Sequence, residues 1–222
     1  MAQLLTQNGK MKKSSQNGIT VVNWTLPAFQ SETGFRTCPN ATKCVSGCYA
    51  RSGTYRFKSS VVAHGAKLDL SQSEAFVGTM IAEIDQWLKK RSVQHLKVRI
   101  HDAGDFYSVS YLDKWLKIMS HFENNPRVSF YAYTKMVSQF KKIRIPLNFR
   151  VIFSFGGSED HLIDRTQDRH AMVFESLDAL ESQGYIDGTQ DDLVAAMGDC
   201  LKIGLCYHGA KSYQNTTWNK VS

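Results

Sequence analysis

Three cysteines stand close together in this chain, in the run Cys38-Pro39-Asn40-Ala41-Thr42-Lys43-Cys44-Val45-Ser46-Gly47-Cys48. Thiolates are soft ligands, suited to iron–sulfur clusters, zinc or cuprous ions. Paired C-x2-C knuckles would point to a tetrahedral zinc site. The spacing here is C-x5-C-x3-C, wide enough for a loop to wrap a cubane and reach three of its irons. Pro39, Ala41, Ser46 and Gly47 let the backbone bend closely, leaving amide N–H groups to donate to sulfide, and such bonds tune a cluster's potential. The run reads as a [4Fe-4S] site, with zinc as the alternative that the residues leave open.

The other two of the five cysteines are Cys200 and Cys206. An odd number, with three packed into eleven positions, makes a poor disulfide framework and suits a metal site in a reducing compartment. Cys206 stands in an expected strand, Lys202–Tyr207, at the end where the cysteine loop should lie. Cys200 precedes that strand. Six residues of regular strand span roughly 20 Å, too far for both to bind one cluster. Cys206 is therefore the expected fourth ligand, and Cys200 a buried free thiol.

Further polar residues recur after expected strands. His101-Asp102-Ala103-Gly104-Asp105 follows Leu96–Ile100, Thr134-Lys135 follows Val128–Tyr133, and Ser154 with Gly156-Gly157 ends Phe149–Phe155. Glu175 follows Ala171–Phe174, and Tyr207-His208-Gly209 follows Cys206. Taken singly, these are ordinary turn and cap residues. In parallel α/β folds, however, the carboxyl edge of the strands carries the site, and the cysteine loop follows the first strand. Taken together they make a candidate site: His101, Asp102, Asp105 and Lys135 as reactive groups, and Gly104, Thr134 and Ser154 as cofactor contacts.

These residues need a scaffold, and the hydrophobic pattern supplies one. Ile19–Trp24 reads as a strand, followed by a long loop, Ser31–Thr54. Ser59–Leu68 reads as a helix. Ser71 and Glu74 form a capping box ahead of a second helix marked by Phe76, Met80, Ile84, Trp87 and Leu88. Helices are also expected around 111–119, 138–143 and 177–184, with a helical turn in Glu159–Arg165. Strands alternating with helices imply βαβ crossovers and a mainly parallel sheet. About six such units form an α/β partial barrel. Residues 1–18 are polar and read as an extended arm, and residues 19–222 as one domain.

Composition sets the outer limits. With 222 residues, 42% hydrophobic and 21% charged, the chain suits one soluble domain. Met1–Lys13 is too polar for a signal peptide, and no run is long enough to span a bilayer. A cytoplasmic protein with no membrane contact is expected. The net charge of +7 fits a polyanionic partner such as nucleic acid. Yet the lysines stand in short groups (Lys12–Lys13, Lys89–Arg91, Lys141–Arg144), the pattern of ordinary solvated surface.

The motif Thr37-Cys38-Pro39-x-Ala41-x-x-Cys44-x-x-x-Cys48-Tyr49-Ala50-Arg51-x-Gly53 resembles the opening motif of the bacteriophage gene product 88 proteins. Val98-Arg99-Ile100-His101-x-x-Gly104-Asp105-Phe106, Phe130–Lys135, the Asn8-Gly9-Lys10 arm and Ile186-Asp187-Gly188 with Gly204-Leu205 are similar too. The resemblance implies a phage protein in the cytoplasm of the infected cell. A cysteine loop followed by βα units looks like the radical-SAM barrel, whose three cysteines hold a [4Fe-4S] cluster and leave one iron for S-adenosylmethionine. This chain departs from that pattern: the spacing is not C-x3-C-x2-C, and no Gly-Gly-Glu follows the second strand. A fourth cysteine would also close the open iron. The expectation is thus an iron–sulfur protein with a redox or electron-transfer role and an unidentified redox partner. A radical-SAM enzyme is the first alternative. The second is a basic nucleic-acid-binding or structural phage protein with a zinc or iron–sulfur site.

Overall fold

Ile19–Trp24 forms β1, and its side chains alternate as a pleat requires. Val22 and Trp24 pack into one core, and Val21 into another on the opposite face. The same alternation runs through β2 (His95–Ile100), β3 (Val128–Thr134), β4 (Phe149–Ser154) and β5 (His170–Phe174). Two more strands follow, the short β6 (Ile186–Asp187) and β7 (Lys202–Cys206). This computed structural model describes residues 3–207, so His208 and Gly209 lie outside the described residues.

All strand pairs are parallel, in the order β1-β2-β3-β4-β5-β7-β6. The seven-stranded sheet curls into a half barrel, so the α/β partial barrel expected from the sequence is the fold. Parallel neighbours need crossovers, and helices supply most of them. In chain order the helices are α1 (Gly9–Ser14), which precedes β1, then α2 (Lys43–Ser46), α3 (Lys58–Gln72), α4 (Phe76–Leu88), α5 (Val109–His121), α6 (Val137–Phe140), α7 (Leu177–Ser182) and α8 (Leu193–Ala196).

The larger core lies where α3, α4 and α5 cover one face of the sheet. Phe76, Met80, Trp87, Leu112 and Trp115 meet Trp24, Val98, Ile100 and Phe130 there. Trp24, Phe76 and Trp115 pack ring to ring at 5.4–6.4 Å. Each such burial is worth about 1.5–3 kcal/mol. On the other face, Met11 of α1 and Ala195 and Ala196 of α8 pack on Val21, Tyr131, Ile152, Ala171 and Ile203. Among the described residues, no helix is long and apolar enough to cross a membrane.

Two local expectations are corrected. Ser71 is not a cap: α3 runs through Gln72, and the buried Ser71 hydroxyl donates back to Leu68 O at 2.6 Å, while α4 starts after Ala75 without a side-chain cap. The helix simply continues a turn further than its apolar pattern, because the hydroxyl satisfies itself on the preceding turn. Nor is the amino-terminal segment an extended arm. Asn8 caps α1 through Met11 N, Thr6 bridges Asn23 in antiparallel fashion, and Leu5 and Met11 are fully buried. Two well-placed apolar residues suffice to dock a segment whose composition is otherwise polar.

Candidate functional site

The cysteine loop is fastened to the carboxyl ends of three strands. Thr37 O accepts Asp105 N at 2.9 Å, beyond the end of β2. Asn40 Nδ2 donates to Lys135 O at 3.2 Å, beyond β3. Beyond β4, Gly156 O accepts both Thr42 N and Cys44 N at 3.1 Å, and Ala41 bridges Gly157. The fit at Gly157 is close: a Cβ there would sit 3.0 Å from Asn40 O and 3.1 Å from Lys135 Cβ. From the far side of the loop, Tyr49 donates its hydroxyl to the Asp102 carbonyl, and Tyr55 donates to Asp102 Oδ2 at 2.9 Å.

This fastening encloses an open cavity of about 470 Å³. Cys38, Cys44, Cys48 and Cys206 all line it, as do His101, Asp102, Gly104, Asp105, Lys135 and Ser154. Two residues stand apart. Thr134 does not line the cavity; its hydroxyl donates to Asp105 Oδ1 at 2.7 Å and accepts Met136 N, so it orients Asp105. Cys200 does not line it either, and packs against the second core. Among the described residues, no three His, Cys, Asp or Glu side chains are grouped so as to hold a metal ion. The four thiols thus share a cavity without closing on the single point that a tetrahedral zinc ion needs.

Burial governs the charge states here. It pushes the Cys38 thiol up to about 12, with the Asp105 carboxylate adding to the effect. Burial also raises Cys44, opposed chiefly by Lys135, and Cys48, opposed chiefly by a hydrogen bond from Ala50 N. Without a cation the three stay protonated thiols, and a bound metal ion would release their protons. Burial raises Asp105 as well, against hydrogen bonds from Thr134, from Lys135 N at 2.9 Å and from Phe106 N at 2.8 Å. Lys135 Nζ donates to Ser154 Oγ at 2.9 Å.

His101 has a left-handed backbone, φ +67°, which is costly for a residue with a Cβ. Its Nε2 lies 2.9 Å from Tyr111 Oη, which in turn accepts Trp24 Nε1–H at 2.9 Å. Burial, with Arg99 adding, drops the imidazole to about 3, so the ring is neutral. Nδ1, the other ring nitrogen, has no hydrogen-bond partner of its own. Gly104 has φ +86°, and a Cβ there would meet Leu26 Cβ at 2.6 Å. Backbone conformation and packing alone therefore demand glycine at this position. Asp102 takes hydrogen bonds from Thr25 (2.6 Å), Tyr55 and Asn8 (3.3 Å).

The wall also holds residues that the sequence reading did not single out. Arg99 and Lys10 line the cavity and share the fully buried Asp192, at 3.2 Å and 2.8 Å, while Tyr131 donates to the same carboxylate at 3.0 Å. Burial alone would raise Asp192, but Arg99 and Lys10 outweigh it and hold the carboxyl below its usual range. Of the two cations Arg99 acts the more on Asp192, and burial lowers Lys10 despite its ion pair. The available signal was Arg99 near the inner end of β2, in a parallel sheet covered on both faces, where a charge needs a buried partner.

The chain can be placed among known proteins. No solved structure matches it. The Gene 88 protein of Mycobacterium phage D29 is 26% identical over 215 residues, covering 88% of this chain and 86% of that protein. The Gene 88 protein of Mycobacterium phage L5 is 26% identical over 214 residues, with the same coverage. The sequence profile of the family described as Gene product 88 matches residues 3–218, and the chain therefore belongs to this family of bacteriophage proteins.

Proposed function

We propose that this phage protein binds an iron–sulfur cluster through Cys38, Cys44 and Cys48, with Cys206 as the fourth ligand, and serves a redox or electron-transfer role. The observation that carries the reading is the convergence of all four thiols on one cavity at the carboxyl edge of a parallel half barrel. When bound, the cluster would supply one-electron chemistry. The chain's own residues set its surroundings. Lys135 is the cation nearest in effect to Cys44, and Asp105, held by Thr134, stands beside Cys38. Neutral His101 and the hydrogen-bonded Asp102 fill the adjoining wall.

The decisive experiment is anaerobic purification and reconstitution, with iron and acid-labile sulfide assays on wild type and on single Cys→Ser variants. Cys38→Ser, Cys44→Ser and Cys48→Ser should each lose most of the iron, and Cys200→Ser should retain it. A colourless, iron-free wild type after reconstitution would sink the reading, as would iron loss confined to Cys200→Ser.

A second reading is favoured by the size of the cavity. At about 470 Å³ it falls in the range of small-molecule sites, about 300–1,000 Å³. It extends past the thiols to Asn8, Lys10, Arg99 and Gln190. A radical-SAM enzyme would use that space for S-adenosylmethionine, with Cys206 left unligated. The paramagnetic resonance spectrum of the reduced protein separates the two. A change on adding S-adenosylmethionine to wild type supports the enzyme; a change that needs Cys206→Ala supports the closed cluster.

A further inference from the structure

The positive charge of this chain is concentrated in one place. From Thr33 to Leu68 there are six Lys and Arg and no Asp or Glu, so this stretch supplies six of the seven net positive charges. Five of the six, Arg36, Lys43, Arg51, Arg56 and Lys58, are exposed. The same segment supplies the motif cysteines to the cavity wall. Lys43 precedes Cys44. Arg36 and Arg51 bring their guanidinium groups within 4.9 Å and 5.6 Å of the ring centre of Phe29, itself a wall residue.

Aromatic side chains are interleaved with these cations. Phe57, between Arg56 and Lys58, is 61% exposed, and Phe35 and Tyr49 are also exposed. Isolated exposed apolar residues are common. Three aromatics within a stretch that carries no acidic residue form a more specific pattern, cations for phosphates and rings for bases. A duplex keeps its bases stacked and would leave the rings unused.

We propose that the surface of residues 33–68 binds single-stranded nucleic acid across the mouth of the cavity. The phosphates lie against Arg51, Arg56 and Lys58, and a base stacks on Phe57. Binding does not depend on the cluster. Nucleic-acid affinity and iron content are measured separately, so either proposal can fail alone.

The test is fluorescence anisotropy of the full-length protein with a labelled oligothymidine of about 20 nucleotides, a duplex of equal length and heparin. Single strands should bind tighter than duplex, with log affinity falling against log salt by about 0.7 per phosphate contacted. Arg56→Glu with Lys58→Glu should weaken binding by about tenfold or more. Phe57→Ala should weaken single-strand binding by about fivefold or more and leave heparin unaffected, with folding checked by circular dichroism. Lys89→Glu with Lys90→Glu, at the far end of α4, should change little. Absence of binding at low salt would overturn the proposal. So would equal loss in the Lys89/Lys90 variant, or binding of duplex and heparin that ignores Phe57.

Discussion

Tyr49, the residue after the third motif cysteine, donates its hydroxyl to the main-chain carbonyl of Asp102, just past the end of β2. The cysteine loop is thereby tied to the sheet on the side opposite its anchorage at Gly156. Removing this hydroxyl should cost about 0.5–1.5 kcal/mol of stability and loosen Cys48 more than Cys38. Tyr49→Phe should therefore fold, melt slightly earlier and release iron faster to a chelator than wild type. Unchanged release rates would show that the tie does not steady the loop.

Asp192→Ala should be far more damaging. It leaves Arg99 buried without its carboxylate, and breaking a buried pair costs about 3–5 kcal/mol. The acid limb offers a second check. Asp192 has its folded-state proton affinity held below the usual 3.8, so its contribution is present above that pH and lost as pH falls below it. In Asp192→Asn, denaturant unfolding should lose part of its pH dependence below about 4.

His101 governs a different window. Its ring titrates near 3 in the folded chain against 6.5 ordinarily. The unfolded chain takes up this proton first, so stability falls as pH drops from 6.5 towards 3. His64 and His170 are also lowered by burial and add in the same direction. His101→Asn tolerates the positive φ and should flatten part of that slope, read by urea unfolding at a series of pH values. A slope equal to wild type would mean that the imidazole is not the group responsible.

Gly104→Ala tests the packing of the Asp102–Asp105 turn. A methyl group must displace Leu26 and hold φ at +86°, at a cost of about 1–3 kcal/mol or more. Thermal melting should drop by several degrees, while Gly78→Ala, which meets nothing within 4 Å on α4, should not lower it.

Much of this arrangement was legible beforehand. The strands following residue 95 were long enough for alternation to mark them. Val128–Tyr133, for example, differs from the observed β3 by a single residue. The rule that polar residues gather at carboxyl edges placed Asp105, Lys135 and Ser154 at one cavity. The two-residue β6 was missed because two positions cannot show a period. Asp192 was missed because its importance comes from Arg99 and Lys10, residues distant in sequence. The concentration of charge between Thr33 and Leu68 was visible too, but counting lysines over the whole chain concealed the absence of acidic residues there.

The docked amino terminus bears on the order of assembly. Lys10 donates to Gly188 O and pairs with Asp192, the first contact spanning 178 positions. Thr6 and Met11 can dock on β1 early, but the Lys10 contacts wait for residues 188–192, since loops of that length close late. Until α8 has emerged, the wall formed by Asn8 and Lys10 has no anchor at Gly188 or Asp192. The cysteines, by contrast, are already synthesised. During that interval the cavity lacks the wall that Asn8 and Lys10 complete, so under the proposed cluster reading loading would be easiest on the nascent chain and slower once Lys10 has locked onto Asp192.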